Sequence, residues 1–114
     1  MSLELAIDLF NRGEFYACHD VLEDLWGNET GEIRELYQGI LQISVAMYHY
    51  SNANRNGAVS LLRKGISHLE PFDPDALGIN VKSLIADCRN ILQELAQGDE
   101  AQCVPTIRWS ITPH

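Results

Sequence analysis

The chain has 114 residues and a formal net charge of −8. That length is enough for one domain with its own core, and the acidity argues against a nucleic-acid interface, which wants a basic face. The charge is lopsided: residues 1–35 hold nine acids against Arg12 and Arg34, a balance of −7, while the other 79 residues hold seven acids and six bases, a balance of −1. Anionic membrane surfaces are disfavoured on the same ground.

The N-terminal stretch MSLELAIDLF has acids where a secretory signal would have bases. Cys18, Cys88 and Cys103 form an odd set with no CxxC spacing, which argues against a disulfide framework or a zinc knuckle. A reduced, cytoplasmic protein is the expectation. Ser2 is placed to cap a first helix running to about Arg12, with Leu3, Ala6, Ile7 and Phe10 on one face and Gly13 as its stop. A second helix is expected from about Glu14 to Trp26, where Phe15, Cys18, His19, Leu22, Leu25 and Trp26 recur at i, i+3, i+4 spacing. Glu23 follows His19 by one turn at the edge of that face.

The central stretch, Leu36 to Asn54, carries no Lys, Arg, Asp or Glu. At about 100° per residue, Leu36, Ile40, Ile43 and Met47 fall on one side, and Gln38, Gln42 and His49 fall within roughly 40° of one another, with Arg34 one turn earlier. A solvent face is normally rich in Lys and Glu, so amides and an imidazole point to burial or partial burial against a facing helix. The stretch is too polar for a lone membrane span, and no basic flank orients it.

Residues 52–57, rich in Asn, read as a turn. A fourth helix is expected over about Ala58–Leu69, with mid-helix Gly65 marking close approach to a neighbour. Pro71 and Pro74 enclose a loop reaching Gly78. Asn80 caps a fifth helix of about Val81–Gln97, whose Val81, Leu84, Ile85, Cys88, Ile91, Leu92 and Leu95 give the cleanest stripe. The expectation is an all-α bundle of about five helices with an extended C-terminal tail. Residues 1–102 form one helical domain, helices two, three and five form the core, and residues 103–114 pack on it through Ile107 and Trp109.

For chemistry, His19, Glu23 and His49 have the composition of a two-histidine, one-carboxylate metal set. The zincin spacing of two histidines four apart is absent, since Glu23 holds the fourth position. A core histidine paired with a carboxylate or amide is the plainer reading, and Glu23 could pair with Arg34 across the helix interface. One network is thereby expected: His19, Glu23, Arg34, Gln38, Gln42 and His49. Cys18 cannot face its neighbour His19 on a helix, so a Cys–His nucleophile is not expected. His68 is read as a surface residue and His114 as a mobile terminus. Phosphate-binding glycine loops and Ser–His–Asp patterns are absent.

Three stretches carry a family likeness: Phe10-Asn11 with Gly13, Phe15, His19, Leu22, Glu23 and Trp26; Arg34 with Gln38-Gly39, Gln42, Val45-Ala46 and His49; and Asn54 with Gly57-Ala58 and Leu61, echoed by Gly78-Ile79-Asn80-Val81. Together they resemble the small helical proteins grouped as domain of unknown function 309. Asp20 stands where that family usually has Glu, and Ala53 where it often has Gly. The resemblance implies a compact helical fold with His19, Glu23, Trp26, Arg34, Gln38, Gln42, His49 and Asn54 as its signature, and it implies no activity and no cofactor.

Three functions are compatible with these residues. One is a non-catalytic binding or scaffolding domain whose polar signature sets helix register. Another is a small-molecule or metal-dependent enzyme with His19, Glu23 and His49 in a pocket between helices two and three. The third is a homo-oligomer joined through Tyr37, Tyr48, Tyr50 or Trp109.

Overall fold

A computed structural model describes residues 2–110; His114 and the three residues before it lie outside that range. Five helices follow in order: α1 (Leu3–Asn11), α2 (Phe15–Gly27), α3 (Ile33–Ser51), α4 (Arg55–Leu69) and α5 (Val81–Ala96). The Ser2 hydroxyl accepts from the backbone N–H of Leu5 at 3.2 Å, so the first helix starts at its expected cap. Asn80 does the same for α5 by accepting from Ser83 N–H at 3.0 Å. The all-α expectation holds, with one small addition. The loop enclosed by prolines forms a 3-10 turn at Glu70–Phe72 and a two-strand hairpin, β1 (Asp75–Ala76) against β2 (Ile79–Asn80).

Leu36, Ile40, Ile43 and Met47 of α3 are all buried, as their spacing requires. Their main partner is α4, not α5, which packs on α4 instead. Small residues decide this. A Cβ placed on Gly39 would lie 2.8 Å from Leu69 Cδ2, and one on Gly65 would lie 2.9 Å from Ile43 Cγ1. The two backbones therefore meet where neither has a side chain, and the close approach expected at Gly65 is to α3.

The fourth helix also begins earlier than the Asn-rich stretch suggests. Asn54 is its N-cap, with Oδ1 accepting from Gly57 N–H at 3.0 Å. Its first residue also ties this end of α4 to the end of α5: Arg55 Nη1 donates to the carbonyls of Leu95 and Asp99 at 3.1 and 2.7 Å.

The C-terminal segment is extended and lies on the bundle. Asn11 grips it through a paired amide: Nδ2 donates to Ile107 O at 2.9 Å, and Ile107 N–H donates to Oδ1 at 2.8 Å. Ile107 and Pro105 are buried. Trp109, expected as a second anchor, is 46% exposed; it bridges to Ile79 through backbone and covers Gly78 with its ring. Among the described residues, no helix is long and apolar enough to cross a membrane.

Candidate functional site

Antiparallel packing of α2 on α3 leaves an open cleft of about 190 Å³ lined by Phe15, Tyr16 and His19 from one helix and Val45, Tyr48 and His49 from the other. These residues meet because each trio recurs at three or four positions, one stripe per helix. The lining is mostly carbon. Tyr16 and Tyr48, 59% and 39% exposed, form its rim with ring centroids 5.4 Å apart. Tyr16 also lies 5.8 Å from the His19 ring, and Tyr48 lies 6.3 Å from the His49 ring. The cleft thus brings two signature histidines together.

The imidazoles are held differently. His49 is half-buried, and its Nδ1 faces Asn54 Nδ2 at 3.4 Å. Asn54 Oδ1 is already committed to Gly57 N–H, so its amide nitrogen must be the group facing the ring. An amide nitrogen is only a donor. His49 Nδ1 therefore accepts, and the ring proton of neutral His49 sits on Nε2. Gly57 belongs to this arrangement, since a Cβ there would lie 2.6 Å from Asn54 Nδ2.

His19 is flanked by carboxylates on its own helix. Asp20 Oδ1 is 3.4 Å from Nδ1, and Glu23 Oε1 is 3.6 Å from Nε2. Neither approach is a hydrogen bond, and Nδ1 is shielded from solvent without a partner. Gln42 Oε1 is likewise buried and unpaired. Buried polar atoms in this condition cost about 1–3 kcal/mol each, and they concentrate where a ligand or water completes the structure.

The other signature residues separate from this cleft. Arg34 turns to Trp26 instead of Glu23: its guanidinium carbon stands 3.7 Å from the ring centroid, and Nε donates to Trp26 O at 3.2 Å. A planar cation stacked on an indole gains more here than it would from Glu23, which is exposed and screened. Gln38 and Gln42 are half-buried. The single hydrogen-bonded network expected from the sequence is instead three local sets: Trp26 with Arg34, His19 with Asp20 and Glu23, and His49 with Asn54.

Tyr16 and Val45 were not legible as cleft residues, although Tyr16 precedes His19 by three positions and that spacing is the available signal. Of the tyrosines proposed for an exposed interface, Tyr37 is buried, and Tyr50 is half-buried with its hydroxyl donating to Glu100 at 2.6 Å. Only Tyr48 and Trp109 of that set stand exposed.

Cys18 is sealed in the core with Sγ 3.2 Å from Ala6 O, and burial pushes its thiol up to about 11. Such a group is not a nucleophile at neutral pH. A larger hollow of about 420 Å³ lies elsewhere, lined by Glu32, Glu35, Ser67, His68, Pro71 and Phe72, and it contains no signature residue. His68 lines this surface hollow, half-buried, with Nε2 3.3 Å from Glu35 Oε2 and Nδ1 2.9 Å from Lys64 O.

The model of the family described as "Domain of unknown function (DUF309)" matches residues 3–61, which include every signature residue. The chain is 25% identical over 103 residues to an uncharacterized protein of Aquifex aeolicus (strain VF5), covering 90% of this chain and 30% of that protein. It is 28% identical over 69 residues to the uncharacterized protein YpuF of Bacillus subtilis (strain 168), covering 60% of this chain and 40% of YpuF. The chain thus spans less than half the length of these curated relatives.

Proposed function

Since the chain belongs to the family described as domain of unknown function (DUF309), and the matched span holds both walls of the α2/α3 cleft, we propose that this domain binds a small molecule there, as a binding module. The observation that carries the reading is the convergence of two imidazoles and two tyrosines from two helices on one open, carbon-lined cleft, with His19 Nδ1 left unpartnered. A pocket with apolar walls and few converging polar groups is the usual form of a small-molecule site.

The dimensions and charges narrow the ligand. Cavities of about 150 Å³ accept a benzene ring, so about 190 Å³ suits one ring-sized group. Tyr16 and Tyr48 offer ring faces, which favour aromatic or cationic groups. Asp20, Glu23 and Asp24 on the adjoining surface of α2 disfavour an anion. In this reading His49 Nε2–H, the ring nitrogen left free by Asn54, is the donor that meets the ligand. The reading is therefore a neutral or cationic ring-sized ligand carrying an acceptor atom.

The test is titration of uniformly 15N-labelled full-length protein with benzylamine, phenol and benzoate, followed by two-dimensional amide spectra. Benzylamine and phenol are expected to shift resonances of residues 15–19 and 45–49, and benzoate is not. Val45→Trp, which fills the cleft from a half-buried position, is expected to abolish the shifts while leaving the helical spectrum intact. Shifts confined to other regions, or equal response to benzoate, would remove the proposal.

A further inference from the structure

Two carboxylates stand at opposite nitrogens of His19, and the distances are informative. The nearest ligand atoms of His19, Asp20 and Glu23 all lie within 4.8 Å of one another. The Nε2 to Glu23 Oε1 gap of 3.6 Å is too long for a hydrogen bond. It is close to the edge of a metal coordination shell. Zinc binds imidazole nitrogen at about 2.0–2.1 Å and carboxylate oxygen at about 2.0–2.2 Å, so a tetrahedral angle separates the two ligand atoms by about 3.3–3.5 Å. The observed gap exceeds that edge by only a small side-chain adjustment.

On the other side of the ring, Asp20 Oδ1 stands 3.4 Å from Nδ1, which lacks a hydrogen-bond partner. Metal-bound imidazoles characteristically give their second N–H to a carboxylate, which fixes the tautomer and raises ligand basicity. A slight turn of the exposed Asp20 side chain makes that bond. Among the described residues no Lys or Arg forms an ion pair with Asp20 or Glu23, whose ion-pair partner is His19; Arg12 pairs with Asp8 and Glu14, Arg55 with Glu100, Arg89 with Glu70 and Arg108 with Asp87. Arg34, the basic residue nearest in the expected network, is spent on Trp26. Asp20 and Glu23 are thus left without a Lys or Arg partner beside a nitrogen ligand.

The geometry points to a divalent transition-metal site of the zinc class on α2, with His19 Nε2 and Glu23 as protein ligands and Asp20 as the outer carboxylate on Nδ1. Mixed nitrogen and oxygen ligation selects this class over magnesium or calcium, which take oxygen shells. Two protein ligands leave the remaining positions to water or to a bound molecule. His49, which carries its proton on Nε2, is a donor at the same cleft and not a third ligand. The ion does not require the cleft to hold a ring, so this inference and the binding reading fail separately.

The experiment uses the full chain with Cys103→Ser, which removes the one exposed thiol. Zinc chloride is titrated by isothermal calorimetry in a non-coordinating buffer, and histidine side-chain nitrogens are followed by long-range 1H–15N spectra. One zinc per chain is expected, with the Nε2 resonance of His19 shifting on binding. Glu23→Gln is expected to weaken binding at least 10-fold. Asp20→Asn is expected to weaken it by about 10–100-fold, as outer-shell carboxylates do, and to alter the tautomer signature of His19. Asp24→Asn and His68→Gln are expected to leave affinity unchanged. Glu23, Asp20 and Asp24 are exposed, so these variants retain the fold, and circular dichroism verifies it. Absence of one-to-one binding, binding that survives Glu23→Gln at full strength, or a zinc-induced shift on His68 or His49 in place of His19 overturns the site. The benzylamine titration, run on the zinc-free protein, reports on the cleft independently.

Discussion

Gly65→Ala isolates the contact on which α3 and α4 are built. On an open helix this change stabilises by about 0.8–1.0 kcal/mol, because alanine loses less backbone entropy. Here the added methyl would lie 2.9 Å from Ile43 Cγ1, nearer still to Ile43 Cδ1, and 3.1 Å from the backbone oxygen of Gly39. Ile43 is fully buried and Gly39 O is main chain, so neither yields freely. Overpacking of this kind costs about 1–3 kcal/mol, which leaves a net loss of about 1 kcal/mol. With an unfolding entropy of about 2.1 cal/mol/K per residue, 114 residues give about 0.24 kcal/mol/K, and the midpoint falls by about 4 °C. Ile43→Val removes the Cδ1 atom in the way, so the double variant should be more stable than the sum of the two singles by at least about 0.5 kcal/mol. Gly27→Ala serves as the control, because no atom comes within 4 Å of its added Cβ, and it should be neutral or stabilising. Urea unfolding at constant m and thermal melts read all four proteins. A rise in midpoint for Gly65→Ala, or strict additivity with Ile43→Val, would refute the close crossing.

Asn11→Ala removes both amide bonds to Ile107, and amide exchange in residues 101–110 should accelerate while α1–α5 keep their protection; unchanged exchange at Ile107 would count against the clasp. Burial raises Cys18 from 9.0 to about 11 and Cys88 to about 12. The folded state therefore holds protons that the unfolded chain has released, so the stability they contribute is complete below about pH 9 and declines as pH rises toward 11–12, by up to about 1.4 kcal/mol per pH unit for each thiol. Replacing both by Ala should flatten that alkaline limb in pH-dependent urea melts, and iodoacetamide at pH 8 should label only Cys103 in the native protein. Arg34→Ala, in a Trp109→Phe background, should cost about 0.5–2 kcal/mol and red-shift Trp26 emission, whereas Glu23→Ala should do neither.

The helix count was legible because local signals agreed. Ser2 and Asn80 are side chains whose oxygen can satisfy an otherwise unpaired N–H, and both do so. The α5 stripe from Val81 to Leu95 is buried at nearly every position. The start of α4 was not legible, because Asn54, Asn56 and Gly57 are poor helix formers and together look like a loop. Gly57 is nonetheless needed within the helix, where its missing Cβ makes room for the Asn54 cap. The choice of α4 over α5 as the partner of α3 was beyond periodicity, which identifies an apolar face without identifying what covers it. Gly39 and Gly65 held that information, yet only the pair of them specifies the crossing.

The site was legible in its residue types and not in its connections. Gln38, Gln42 and His49 do share a stripe, but a shared stripe says nothing about hydrogen-bond partners, which depend on chain separation at the ångström scale. Arg34 shows the difference: from its spacing it could reach Glu23, and the indole of Trp26 intercepts it. His49 shows the converse. Its tautomer follows from a helix cap five residues away, because Gly57 N–H claims one end of the Asn54 amide and leaves the other to face the ring. Asn54→Asp tests that chain of cause directly. The aspartate can still cap α4, so stability should change little, but it presents an acceptor to Nδ1. The His49 proton should then favour Nδ1, a shift visible in the imidazole nitrogen spectrum, and the cleft would lose its Nε2–H donor. An unchanged tautomer in a folded Asn54→Asp protein would mean that the cap and the cleft are not coupled, and that the presence of both residues in one signature has another cause.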